Sequence, residues 1–216
     1  MEPPEAAEKG ARAQQGRNSP LHSGGLAAGK KNAKRLGAYL VFADESGFQL
    51  TPTIACTWAP LGQTPTVHHM DRRDRISVIS GISVSPRRQR LNLHFQLHTD
   101  NIRQREARDF LRQLLRQIRG HIFVLWDGGN PHRGKLVREF CARTKRIHLQ
   151  RFPSYAPEFN PDEGVWKLAK QRLANGQAHD VPELMVALIE SLETIRANRR
   201  NLRGCITHSA LPSFLR

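Results

Sequence analysis

No Cys-x-x-Cys pair occurs in this chain, and its three cysteines, Cys56, Cys141 and Cys205, lie far apart. Neither a disulfide framework nor a structural zinc site is therefore indicated, and the cysteines read as reduced, mostly buried thiols. There is no charged-then-apolar start of the kind a signal peptide has. Nor does any apolar run approach the ~20 residues that a membrane helix needs. These absences make a cytosolic protein the expectation. Acidic residues are also scarce, with 19 Asp and Glu against 34 Lys and Arg, a formal net charge of +15 and a sequence pI near 10.9. Such an excess is the electrostatic footprint of a protein that works against phosphate, and it points to a nucleic-acid partner.

Residues 1–36 contain no Phe, Trp, Tyr, Ile or Val. A stretch of that composition buries too little apolar surface to offset its ordering entropy, so 1–36 reads as a disordered or weakly helical basic lead-in. It ends in the cluster Lys30, Lys31, Lys34 and Arg35, a candidate phosphate contact or a solvated linker. A chain of 216 residues leaves room for one sizeable domain after it.

From Tyr39 the pattern changes. Tyr39–Ala43 is a short apolar run that fits a strand buried on both faces, and Asp44-Glu45-Ser46-Gly47 follows it at once, either as a turn or as a site at the strand's end. Ile76–Val84 alternates apolar residues with Ser, which predicts a half-buried strand, and Leu91–Leu97 alternates again as its antiparallel partner. Leu111, Leu114, Leu115 and Ile118 recur at helical spacing after a cap at Asp100 or Asn101, while Arg103, Arg105, Arg108, Arg112, Arg116 and Arg119 line the other side as a solvated or phosphate-facing stripe. His121–Trp126 is another buried-strand pattern ending in Asp127 and a Gly-rich turn, the place where open α/β sheets put ligands. A helix around Val137, a short strand Ile147–Leu149, a helix from Pro161 onward and a last helix over 181–200 complete an α/β order. Arg199 and Arg200 begin a basic end, with a tail over 204–216.

Glu163 falls in the first turn of the helix that follows Asn160-Pro161. It is either the third-position member of a capping box or a ligand. If the first and fourth strands are parallel neighbours, Asp44 and Asp127 meet at one edge and Glu163 reaches them from its helix. Three carboxylates cannot all stay ionised in one site without cations. Their oxygens suit Mg²⁺, and two such ions about 3.5–4 Å apart activate the attacking oxygen and stabilise the leaving one in phosphodiester chemistry.

Four segments, Val41–Gly47, Thr57–Pro65, Leu125–His132 and Tyr155–Glu163, resemble in chain order the blocks of bacterial insertion-sequence transposases related to the mariner superfamily, members of the DDE group. The most specific is Tyr-Ala-Pro-Glu-x-Asn-Pro-x-Glu, whose last acid stands 36 positions (163 − 127) after Asp127. The resemblance covers about Lys31 to Leu202. It implies a ribonuclease-H-like fold over 37–203, with a mixed five-stranded sheet, three strands antiparallel and then two parallel, and helices on both faces. It implies Asp44, Asp127 and Glu163 as the catalytic acids holding two Mg²⁺, with Mn²⁺ able to substitute, and His132 as a residue that positions phosphate, supports the metal shell or makes a structural hydrogen bond. Asp162 and Glu158 fall outside the ligand positions and read as surface or cap residues. The implied partners are double-stranded DNA, both element ends and target, and a second copy of the chain. Lys30, Lys31, Arg112, Arg116, Arg199 and Arg200 are the candidate DNA contacts. Residues 1–36 do not fit a helix-turn-helix, so either a separately encoded segment recognises the terminal repeats or the chain is a truncated remnant whose catalytic half persists. The activity implied is strand cleavage and strand transfer in the cytoplasm, on the nucleoid. The alternatives are a nuclease without transposition and a catalytically silent DNA-binding remnant.

Overall fold

The computed structural model describes residues 31–50, 60–61, 74–127, 129, 132, 134–152, 157–174, 176 and 178–211. Lys30, Cys56, the Thr57–Pro65 block apart from Pro60 and Leu61, and Tyr155 and Ala156 of the most specific block lie outside them. Five strands, β1 (Tyr39–Gln49), β2 (Arg75–Val84), β3 (Leu91–His98), β4 (Ile122–Trp126) and β5 (Ile147–Arg151), form one sheet in the order β3-β2-β1-β4-β5. β1, β2 and β3 are antiparallel, and β4 and β5 run parallel to β1, as the family resemblance implies.

The helices are α1 (Gln104–Gln117), α2 (Lys135–Arg143), α3 (Asp162–Leu173), α4 (Val181–Ala197) and α5 (Arg199–His208). They cover both faces of the sheet because β1 alternates. Phe42 and Phe48 join a core with Val165, Trp166, Leu188, Leu192 and Leu202 of α3 to α5, whereas Val41 and Ala43 join a second core with Phe110, Leu111, Leu114 and Val137 of α1 and α2.

Three expectations are corrected. β1 does not stop before Asp44. It continues through Asp-Glu-Ser-Gly to Gln49, because β2 offers a full antiparallel ladder down to Gln49↔Arg75. β2 is not half-buried. Every residue from Ile76 to Val84 is buried, and its serines find polar partners inside: Ser80 donates to Asp162, and Ser83 meets His94. The helix expected over 181–200 ends at Ala197. The side chain of Asn198 then accepts from the Arg200 and Asn201 amides and starts α5, so part of the expected tail is a helix that buries Leu202, Cys205 and Ile206. Cys141 and Cys205 are free thiols, each pushed up to about 11 by burial. Among the described residues no helix is long and apolar enough to cross a membrane.

Candidate active site

Parallel pairing of β1 with β4 ends at Phe42↔Leu125. Two residues beyond that pair stand Asp44, within β1, and Asp127, just past the end of β4. α3 brings the third acid. The buried Asn160 ties its start to the sheet, donating from Nδ2 to the Ala43 carbonyl (3.1 Å) and accepting at Oδ1 from the Asp162 amide (3.2 Å). The capping box considered for Asn160 and Glu163 does not form: the Asn160 amide donates instead to the Pro157 carbonyl, Pro161 is the N-cap, and Glu163 points to solvent.

Trp166, one turn into α3, donates its indole N–H to Asp44 Oδ2 at 3.0 Å. Burial, and after it the charge of Glu163, push the Asp44 carboxyl from its ordinary 3.8 up to about 7, with the Trp166 hydrogen bond acting in the opposite direction. Glu163 is thus within electrostatic reach of Asp44. Asp162 is a surprise relative to its sequence reading as a surface or cap residue. It is fully buried, accepts from the Ser80 hydroxyl at 2.5 Å, and has an Oδ1 without a hydrogen-bond partner. Burial holds its carboxyl well above the usual range, and the charges of Asp44, Glu163 and Glu45 add to this.

His132 is buried and stacks on Trp126, with ring centroids 3.8 Å apart. Its Nε2 lies 2.6 Å from Glu45 Oε1 and its Nδ1 3.0 Å from Asp127 Oδ1. Burial alone would lower its pKa from 6.5. Hydrogen bonds to Asp127 and Glu45 outweigh that and raise it to about 9. The Gly129 amide donates to the same Asp127 Oδ1 at 2.9 Å, and a Cβ at Gly129 would sit 3.0 Å from that oxygen, so the turn needs glycine there.

Among the described residues, the group with donor atoms all within 4.8 Å is Glu45, Asp127 and His132, rather than Asp44, Asp127 and Glu163. Glu45 was missed by sequence reasoning. Its only signal was its place next to Asp44, on the opposite face of β1. Glu163, Lys167 and Arg200 line one cleft of ≈ 730 Å³ between α3 and α5. The candidate DNA contacts divide between the sheet's two sides. Arg112 and Arg116 lie exposed on α1, Arg112 bonded to Asp109 at 2.9 Å and lying over Phe140, whereas Arg199 and Arg200 lie exposed on α5. Lys31 is exposed in a helical turn that precedes β1.

A mixed sheet in this order, with helices on both faces and acids near the ends of β1 and β4, is a ribonuclease-H-like fold. A family model described as DDE superfamily endonuclease matches residues 39–185, more than half of the chain, and the chain belongs to that family. It is 26% identical over 149 residues to the transposable element Tcb2 transposase of Caenorhabditis briggsae, a match that spans 64% of this chain and 53% of that protein. The chain spans about half the length of the curated relatives it matches. In fold it is similar to the Mos1 transposase paired-end complex with left transposon end (TM-score 0.58, 13% identity, 97% of this chain and 68% of that one). It is also similar to the mariner Mos1 paired end complex with Mg (TM-score 0.55, 12% identity, 98% and 68%).

Proposed function

We propose that this chain is the catalytic domain of a DNA transposase from a bacterial insertion sequence, with Asp44, Asp127 and Glu163 as the acids that hold two Mg²⁺, or Mn²⁺ in their place. What supports the reading is the position of Asp44 and Asp127, each two residues beyond the last β1–β4 pair, together with Glu163, whose charge helps raise Asp44 to about 7. Three carboxylates, the half-buried Asp44 among them, are an oxygen donor set that fits a hard divalent cation. When bound, such ions activate the attacking oxygen and stabilise the leaving one. The protein's own residues do the placing. Trp166 fixes one oxygen of Asp44, Asn160 anchors the start of α3 to β1 so that Glu163 is presented at the strand ends, and Lys167 and Arg200 give the adjoining cleft positive charge for a phosphate backbone. The reaction is hydrolysis at the element's ends to free a 3′-hydroxyl, followed by attack of that hydroxyl on target DNA.

The partners in this reading are the element ends, the target duplex, a second copy of the chain and a helix-turn-helix segment encoded separately, and the place of action is the cytoplasm, on the nucleoid. Asp44→Asn, Asp127→Asn and Glu163→Gln each lower Mg²⁺- or Mn²⁺-dependent nicking of plasmid DNA by at least about 100-fold, since the stabilisation at stake is several kcal/mol. DNA binding, measured by gel shift, survives in all three and weakens with salt by a log-log slope of about −0.9 per phosphate neutralised. Undiminished nicking in any one variant overturns the assignment of that acid.

A further inference from the structure

We propose that Glu45 and His132 form a clamp that sets the orientation of the Asp127 carboxylate, which makes Glu45 a positioning residue that acts through the imidazole. The inference rests on the reading of Asp127 as a metal ligand and adds the device that holds it. Asp127 lies one residue past the end of β4, and its side chain is 55% exposed. A ligand on a loop has to be oriented by its contacts, and the groups that orient ligands count nearly as much as the ligands themselves.

The contacts here come from three directions. The imidazole of His132 lies against the Trp126 ring at an interplanar angle of 27°, which restricts its rotation. One edge of the ring meets Asp127 Oδ1 at 3.0 Å, and the other meets Glu45 Oε1 at 2.6 Å. Glu45 is itself fixed by the β1 ladder, paired with Ile79 of β2 on one side. The central strand thus reaches the loop acid through Glu45 and His132, on the face opposite Asp44. Glu45, Asp127 and His132 also meet the spacing of a metal site. Their ring contacts argue otherwise, because the two nitrogens are committed to two different carboxylates. An ion taking one nitrogen would break that contact.

The test is Mn²⁺ titration of the purified chain followed by electron paramagnetic resonance, with a thermal melt to show that each variant is folded. Glu45→Ala and His132→Ala are each expected to weaken Mn²⁺ binding by about 10–100-fold, the usual cost of losing an outer partner of a ligand. Glu45→Gln, which keeps an oxygen acceptor for the ring N–H, retains most of the affinity. The double alanine variant loses no more than the weaker single, because both residues act along one chain of contacts. Asp127→Asn is the reference. If it weakens binding while Glu45→Ala binds like the parent protein, the clamp is overturned. If His132→Ala loses affinity and Glu45→Ala does not, His132 is a direct ligand and the clamp is again overturned. If Asp127→Asn itself binds like the parent, the ligand reading beneath the proposal fails.

Discussion

The two faces of β1 are packed alike and charged differently. Toward α3, α4 and α5 the strand presents Phe42, Asp44 and Phe48, and around Asp44 lie Asp162 and Glu163. Among the described residues no Lys, Arg or His forms an ion pair with any of these three acids. Toward α1 and α2 it presents Val41, Ala43 and Glu45, and there Glu45 and Asp127 share His132 between them. One side thus carries its own counter-charge, and the other concentrates negative charge in a dry setting. The pKa of Asp44 records the difference. An isolated crowded carboxylate is costly, so the first side is the one where an external cation gains most.

Packing should not distinguish the two faces. Leu111 in α1 and Leu188 in α4 are both fully buried, one in each core. Leu111→Ala and Leu188→Ala are each expected to cost about 2–5 kcal/mol in urea unfolding. A cost confined to one of them would break the comparison by showing that packing, and not charge, sets the faces apart.

Charge should distinguish them by pH. Asp44 rises from 3.8 to about 7, so its contribution to stability is full below 3.8 and is lost as pH rises through about 7. His132 rises from 6.5 to about 9, so its contribution is full below 6.5 and is lost as pH rises through about 9. In chelator, unfolding free energies should therefore fall in two windows, each on the order of a few kcal/mol. Asp44→Asn flattens the lower one, and His132→Gln flattens the upper. A single fall that neither variant alters would remove the electrostatic contrast. The smallest expected effect sharpens one side only: Trp166→Phe costs about 1–3 kcal/mol, as the loss of a hydrogen bond to a buried carboxyl does, and moves Asp44 further above 7 in a carboxyl titration.

The strands were legible because apolar runs of five to nine residues bounded by turns have few other uses, and the arrangement of the sheet came from the family resemblance. The sheet's arrangement agrees with that reading. What was not legible depends on partners distant in sequence. Asp-Glu-Ser-Gly has the composition of a turn, and only the ladder to β2 makes it strand. Asp162 and Glu163 are neighbours in one helical turn, and nothing local says that the first faces Ser80 in the interior while the second faces solvent. Asn160 looked like an end cap because its use as a bridge to Ala43 spans most of the chain. Asn198, by contrast, carried a readable signal: an Asn ahead of Arg-Arg-Asn-Leu is a helix start, and reading one helix through it hid α5.

The central place of β1 has a consequence for the birth of the molecule. Of the five strands β1 is made first, then meets β2, which pairs with β3, and keeps its other edge open until Ile122 arrives to meet Tyr39. At roughly 5–20 residues per second on the ribosome, that edge waits for seconds beside an emerging, strongly basic chain. An open strand edge is a template for pairing with other chains. The parallel β1–β4 contact, just beyond which Asp44 and Asp127 stand, is thus closed late, and Glu163 follows later still.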